Sequence, residues 1–215
     1  MNKKDFENRR IGSDVGALTG ALAGGILSSP LMVGEGQGPH PHVEEMIAEA
    51  KRKWPTLNIH PGISAGSFFA PSADVINYGG TATLGHELGH VAIYDKIRKM
   101  KMAKPYLAAR YLGTAIAPIG SVLYSAVSGD DESAKNVALG ATALGGLTVA
   151  DEAAASAIGI KNIIKHQGGV GKFLTSKTMP KTLLMLASGL GTYAAASSVP
   201  LLAYHFSRMY QHDNK

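Results

Sequence analysis

The chain has 215 residues, enough for one or two domains with a buried core, and 17% of them are charged. It contains no cysteine, which excludes a disulfide-stabilised fold and any metal site with cysteine ligands. The net charge of +5 is modest, and the basic residues flank apolar stretches. This arrangement favours contact with a lipid bilayer and argues against a nucleic-acid-binding surface.

Four stretches of the chain contain almost no charged residue. They are residues 15–33, 111–128, 137–160 and 182–206. A helix needs about 20 apolar residues to cross the hydrocarbon core of a bilayer. The pattern predicts a mainly α protein with three to four integral membrane helices. The alternative is a set of buried helices in a soluble protein.

Glycine recurs at every fourth residue at the start of the first stretch. The positions are Gly12, Gly16, Gly20 and Gly24. Such a stripe has no side chains and lets a second helix approach closely. That helix belongs either to the same chain or to a partner. No clear cleavage site follows at Ser28-Ser29-Pro30, so we interpret the stretch as a retained anchor.

A polar segment follows the first stretch. Gly, Pro and His dominate residues 34–41, which suggests a linker, and apolar spacing predicts a helix over 43–54. Residues 57–78 are rich in β-branched, aromatic and turn residues, which predicts a strand pair with a turn near Pro71. A second helix is expected from Thr81 to about Lys101. A strand at the edge of this small sheet can hold an extended peptide by strand addition.

The second helix carries the sequence His86-Glu87-Leu88-Gly89-His90, an HExxH motif. Positions i and i+4 share one face of a helix, so the two imidazoles can occupy two corners of a tetrahedral zinc site. Glu87 is then placed to act as general base toward a water molecule whose pKa zinc lowers to about 7. A catalytic zinc needs a third protein ligand and one open position. Asp151 and Glu152 are both candidates, because ionisable groups inside an apolar stretch indicate function.

The order of these parts resembles that of the membrane-embedded gluzincin metallopeptidases. The likeness is to the HtpX-like and CAAX-prenyl-protease-like group, and especially to the smaller YugP-like group. Such proteins place HExxH after a membrane anchor, followed by two membrane helices, an ExxA(D/S) motif and another membrane segment. Here that motif is Glu152-Ala153-Ala154-Ala155-Ser156. The resemblance implies a zincin-like α+β core with Glu152 as third zinc ligand. Ser156 stands where many relatives carry an aspartate that steadies a histidine.

The resemblance and the composition together suggest four consecutive parts. They are an N-terminal anchor over 1–33, a zincin-like core over 34–104, a helical hairpin over 105–160 ending in the third ligand, and a basic loop with the last membrane helix over 161–215.

Charges beside the apolar stretches predict an orientation in the membrane. Residues 96–110 and 161–181 are strongly basic, whereas the loop 129–136 is mostly acidic. Basic loops stay on the cytoplasmic side, so the three ligands are expected at the cytoplasmic face of a bacterial inner membrane, or of a virus- or phage-associated membrane. The basic residues of 3–10 also indicate a cytoplasmic N-terminus, so a single crossing by 15–33 would place HExxH outside. Either nearby acids weaken that signal, or the stretch folds back near Pro30.

These observations predict a membrane-bound zinc endopeptidase that hydrolyses membrane-proximal or misfolded proteins. His86, His90 and Glu152 would bind zinc, and Glu87 would act as base. Tyr204 or His205 could stabilise the oxyanion of the transition state, although anchoring at the membrane interface is the simpler role. The alternative function is a non-catalytic membrane or virion assembly protein that keeps a zinc-binding fold for stability. The remaining histidines, among them His166, are expected at the surface.

Overall fold

The computed structural model describes residues 41–62 and 67–212. The predicted anchor 1–33, its glycines Gly12, Gly16, Gly20 and Gly24, and most of the linker lie outside the described residues. The described part is mainly helical with one small three-stranded sheet. The predicted combination of helices with a small α+β part is therefore confirmed at this coarse level.

Seven α-helices, one π-helical segment and three strands make up the described residues. In chain order they are α1 Pro41–Lys53, β1 Asn58–Pro61, β2 Phe68–Ala70, β3 Val75–Tyr78, α2 Thr81–Lys99, α3 Ala103–Tyr111, the π segment Leu112–Ile116, α4 Ala117–Val127, α5 Asp131–His166, α6 Val170–Leu174 and α7 Met179–His212.

The sheet has the strand order β1-β3-β2. Strands β2 and β3 form the predicted antiparallel pair, with Phe69 opposite Ile76, and the turn between them begins at Pro71. The first strand was not predicted as a separate element. It pairs in parallel with β3, and its last residue is Pro61, which fits an edge strand because proline cannot donate to a neighbour.

The chain divides into two compact units. The sheet unit comprises the described residues up to Ala103 together with 151–190, and the helical unit comprises 104–150 and 191–212. The division therefore falls inside both α5 and α7. It differs from the predicted series of consecutive parts, because residues 151–166 pack with the HExxH helix although 47 residues in between belong to the helical unit.

Large apolar side chains form the core of the sheet unit. Met46 from α1, Ile76 from β3, Leu84 from α2 and Ile163 from α5 are almost completely buried, and Phe173 from α6 joins them. Each fully buried side chain of this size stabilises the fold by about 1.5–3 kcal/mol. The core therefore holds α2 between the sheet and the second half of α5.

Small residues let α2 approach α5 at backbone distance. Gly85 and Gly89 lie one turn apart on α2, and Ala155 and Gly159 lie one turn apart on α5. A Cβ atom on Gly159 would lie 2.7 Å from the carbonyl carbon of Gly85, and one on Gly89 would overlap the carbonyl oxygen of Ala155. Only this small-xxx-small pairing allows the two helices to touch there.

The helical unit buries mostly small side chains. Ala134 and Ala138 of α5 pack with Tyr204 of α7, and the buried residues of α4 are Ser121, Ser125 and Ala126. Larger residues such as Leu123 and Leu147 are more than half exposed. Asp130 caps α5 by accepting from the backbone N–H of Glu132 at 3.1 Å and from the hydroxyl of Ser133.

Two described helices are long and apolar enough to cross a bilayer. They are Asp131–His166 and, within α7, Met179–Met209. Only 11% of the most apolar window of the second helix is buried, which favours lipid over a soluble core. The predicted stretch 111–128 is divided by the π segment, and its apolar helix α4 has 11 residues, too few to cross alone. Among the described residues, two helices therefore have the length and composition of a span, where the sequence predicted three to four in the whole chain.

Candidate metal centre

The HExxH motif occupies the buried first half of α2. The helix follows Gly80, and the Thr83 hydroxyl oxygen accepts hydrogen bonds from the backbone N–H groups of Gly79 and Gly80, both at 2.9 Å. This cap fixes the start of the helix one turn before His86. Residues Thr81 to Val91 are nearly all buried, so the motif faces protein on most sides.

Three donor atoms from α2 and α5 converge beside this helix. The Nε2 atoms of His86 and His90 lie 3.2 Å apart, and Glu152 Oε2 lies 3.1 Å from the first and 3.2 Å from the second. The three atoms therefore form a nearly equilateral triangle. These residues are the metal-ligand group among the described residues.

The triangle has the dimensions that a tetrahedral metal ion requires. Donors at 2.0–2.1 Å from a zinc ion at the tetrahedral angle would be separated by about 3.3 Å. Three lone pairs directed at one point repel one another unless a cation or a proton lies between them. His86 is the most exposed of the three residues, at 19%, so solvent reaches the cluster from its side. The residues present thus fit a metal ion with three protein ligands and an accessible fourth position.

The other ring nitrogens of the two histidines also have polar neighbours. His86 Nδ1 lies 3.1 Å from the Ser156 hydroxyl oxygen, and His90 Nδ1 lies 3.5 Å from Asp151 Oδ2. An acceptor at Nδ1 would hold the imidazole proton there and leave Nε2 free to bind a metal ion. The two acidic candidates of the sequence thus occupy different places: Glu152 completes the triangle, and Asp151 faces the outer nitrogen of His90.

Burial of this cluster costs hydration free energy unless a cation is bound. Glu152 is 2% exposed, and Glu87 and His90 are each 5% exposed. A carboxylate removed from water loses several kcal/mol of hydration unless charge or hydrogen bonds compensate. A divalent cation held by the three donors would offset this loss.

Glu87 lies on α2 directly after the first histidine and is buried. Successive residues of an α-helix are rotated by about 100°, so Glu87 lies one step round the helix from the stripe that carries His86 and His90. It is the one polar residue of the motif that is not a member of the donor triangle. Its role as base stays a prediction.

Tyr204 and His205 belong to the helical unit. The Tyr204 hydroxyl donates to Asp131 Oδ1 at 3.2 Å, and Arg208 lies over its ring and also pairs with Asp131. His205 is exposed and contacts the edge of the Tyr204 ring. These contacts join the start of α5 to the last turns of α7, and the proposed role of either residue in the transition state remains a prediction.

His166 differs from the surface position expected for it. Only 12% of its side chain is exposed, and its Nε2 lies 3.0 Å from Glu49 Oε2 on α1. Lys165 Nζ donates to both carboxylate oxygens of Glu49 at 2.6 Å. That hydrogen bond lowers the pKa of Glu49, against the opposing effect of partial burial. The contacts of Glu49 with Lys165 and His166 connect α1 to the C-terminal end of α5, the helix that carries Glu152.

Sequence reasoning missed the residues that bring the two ligand-bearing helices together. The signal was present, since Gly85 and Gly89 repeat the spacing of Ala155 and Gly159. It also missed Asp151 as a neighbour of His90. An acidic residue directly before the third ligand lies on a different side of the helix, which could have suggested this outer position.

Comparison with protein-family models, curated proteins and solved structures finds no match to this chain. The functional interpretation therefore rests on the residues and their geometry.

Proposed function

We propose that this chain is a membrane-bound zinc metalloendopeptidase. The observation that carries the proposal is the triangle of His86 Nε2, His90 Nε2 and Glu152 Oε2, with edges of 3.1–3.2 Å. Nitrogen and carboxylate donors in this geometry suit zinc, and two histidines with one glutamate are a ligand set of zinc peptidases. A site with three protein ligands and an accessible side is the arrangement expected for catalysis and not for structure alone.

The protein residues then have separate tasks. His86, His90 and Glu152 would hold the ion, which when bound supplies Lewis acidity to activate water and polarise a peptide carbonyl. Glu87 would accept the proton of the attacking water and later donate it to the leaving amine. Ser156 and Asp151 would keep the imidazoles in the tautomer that leaves both Nε2 atoms free to bind.

The two long apolar helices support a membrane location. Residues 96–102, at the end of α2, contain four basic side chains, all exposed, and residues 161–181 contain five lysines and no acid. A cytoplasmic face for the site follows from the positive-inside rule. Substrates would then be membrane proteins or chains close to the membrane, because the site is tethered there.

Metal content and proteolysis, measured on the same samples, test the proposal. The purified full chain should bind about one zinc ion per molecule and cleave unfolded casein, and a chelator should abolish cleavage. Glu87→Gln should retain zinc while activity falls by at least about 10²-fold, the usual scale of general-base catalysis. Single alanine substitutions of the three ligands should remove both zinc and activity.

Glu132→Gln is the matched control, because this exposed carboxylate lies on α5 outside the triangle. It should change neither zinc content nor cleavage. Full zinc binding with no cleavage of any protein by wild type would instead favour a structural zinc site in an assembly protein. Cleavage that survives Glu87→Gln undiminished would refute the assigned base.

A further inference from the structure

The short helix α6 exposes two large apolar side chains. Val170 is 58% exposed and Leu174 is 56% exposed, and their spacing of four residues puts them on one face of the helix. Phe173 of the same helix is 3% exposed and belongs to the core of the sheet unit. Phe173 therefore holds α6 to the protein, whereas Val170 and Leu174 are left on its surface.

This helix lies beside the start of α7, the second candidate span. Met179, the first residue of α7, packs against the same core as Phe173. The Gln167 side-chain amide donates to the Thr178 hydroxyl oxygen at 3.3 Å, which connects the turn before α6 to the residue before α7. At most about 18 Å of extended chain separates Leu174 from Met179. If α7 enters a bilayer near its first residue, α6 lies at the bilayer surface.

The charge around α6 has one sign. Residues 161–181 contain five lysines and no acidic residue. Lys177 and Lys181 follow α6 directly before the uncharged stretch 182–206, and both are exposed. Lysines this close to a membrane attract anionic headgroups, and their long side chains reach the headgroup level. Exposed apolar side chains and adjacent lysines are the two components of binding to an anionic membrane surface.

A membrane leaflet fits this surface better than a nucleic acid does. Residues 161–181 contain no arginine, tyrosine or tryptophan, and the one phenylalanine, Phe173, is buried. The segment therefore lacks the side chains that most often read base edges or stack on bases. Aliphatic side chains such as Val170 and Leu174 instead gain free energy by leaving water for the acyl region of a bilayer.

We propose that α6 and the two lysines after it form an interfacial anchor that binds the anionic phospholipids of a bilayer leaflet. Val170 and Leu174 insert below the headgroups, and Lys177 and Lys181 pair with the lipid phosphates. The anchor would hold the sheet unit against the bilayer surface. The proposal rests on the membrane location proposed above and not on the peptidase activity.

Fluorescent labels on single cysteines test the proposal, because the chain has no cysteine of its own. The full chain with Leu174→Cys carries an NBD label and is reconstituted into vesicles of phosphatidylcholine, with or without phosphatidylglycerol. A nitroxide on the lipid acyl chains quenches labels that insert. Quenching at position 174 should be several-fold stronger with phosphatidylglycerol than without it.

The contribution of the lysines is measured in the same vesicles. Each lysine near an anionic surface favours binding by a factor of about five. In phosphatidylglycerol vesicles, Lys177→Gln together with Lys181→Gln should therefore lower the ratio of inserted to free label at position 174 by at least about tenfold. High salt should weaken insertion of the unsubstituted chain in the same direction, because it screens the headgroup charge.

Two further labels are the controls. Ala48→Cys lies on α1 of the same unit and is exposed beside the acidic residues Glu44 and Glu45. Its label should stay unquenched in both kinds of vesicle. Ala187→Cys is exposed on α7 inside the candidate span, and its label should be quenched in both kinds.

Four results would overturn the proposal. Equal quenching at position 174 in the two kinds of vesicle would mean that anionic lipid is not recognised. An unchanged ratio after both lysine substitutions would assign the lipid preference to other residues. Quenching at 187 without quenching at 174 would place α6 in water and leave its apolar pair to a protein partner. Absence of quenching at 187 would refute the membrane location itself, whereas zinc binding and casein cleavage test the peptidase separately.

Discussion

The two units of this protein differ in the size of the side chains that form their cores. The sheet unit encloses Met46, Ile76, Leu84 and Ile163, as a protein folded in water does. The helical unit encloses mostly alanine, serine and threonine together with Tyr204, and large apolar residues such as Leu123 and Leu147 are exposed. Lipid tails are as apolar as leucine, so in a bilayer close packing of small residues drives association of helices. The contrast is what we expect if the helical unit contacts lipid, as proposed above, and the sheet unit contacts water.

Labelling of single cysteines from outside the cell tests the difference between the two units most directly. Glu132→Cys lies at the acidic start of α5 in the helical unit, and Lys177→Cys lies in the basic region of the sheet unit. The charge bias predicts that only the first reacts with an impermeant maleimide in intact cells. Both should react after permeabilisation, which serves as the control. The reverse pattern would place the metal centre on the outer face.

Gly89→Ala should have the next largest effect. Its Cβ would overlap the Ala155 carbonyl oxygen and push α2 away from α5, separating His90 from Glu152. We expect nearly complete loss of bound zinc and a loss of about 1–3 kcal/mol in stability from overpacking. Zinc analysis and urea unfolding measure both.

Gly146→Ala is the matched control in the helical unit, where nothing lies within 4 Å of the added Cβ. It should keep full zinc content and gain up to about 1 kcal/mol from the better helix propensity of alanine. Equal behaviour of the two variants would show that close approach of α2 and α5 does not build the site.

Ser156→Ala should weaken the site without destroying it. It removes the oxygen that faces His86 Nδ1 at 3.1 Å, and loss of such an outer contact reduces metal affinity by about 10–100-fold. Competition with a zinc-binding dye measures the affinity. Ser198→Ala, which removes a hydroxyl bonded to a helix carbonyl in the helical unit, should leave affinity unchanged.

The smallest expected effect is on the pH dependence of the free energy of unfolding. The Lys165 hydrogen bond lowers the folded-state pKa of Glu49 below its ordinary value of 4.5. A lowered carboxylate pKa adds stability that is complete above pH 4.5 and disappears as the pH falls through the folded value. Both side chains are solvated, so we expect less than about 1 kcal/mol. Unfolding followed by Trp54, the one tryptophan, reports on the sheet unit. Glu49→Gln should remove this part of the pH dependence.

Patterns repeated along the chain were predictable from sequence. The 3.6-residue spacing predicted α1 and α2 to within two residues at each end, and the uncharged stretches predicted the middle of α5 and α7, because burial or lipid contact acts on every turn. The hairpin of β2 and β3 was predictable from its turn residues. HExxH predicted which face of α2 contributes to the candidate metal site.

Features that depend on contacts between distant residues were not predictable. The pairing of β1 with β3 is parallel and needs a crossover, for which four residues give no local signal. Two adjacent acids, Asp151 and Glu152, differ in role only because α5 presents one to the triangle and the other to the outer side of His90. The π segment also lacks a recognisable sequence pattern.

The donor triangle also links parts of the chain far apart in sequence. Glu152 lies 62 residues after His90 and 66 after His86, and the chain has no cysteine with which to close so long a loop. An ion bound there would act as a reversible cross-link between these distant parts of the chain. It would persist under reducing conditions, in which a disulfide would be reduced. Above its dissociation constant, every tenfold rise in free metal would add about 1.4 kcal/mol to the stability of the sheet unit. The lifetime of the folded chain would then depend on the metal supply of its compartment.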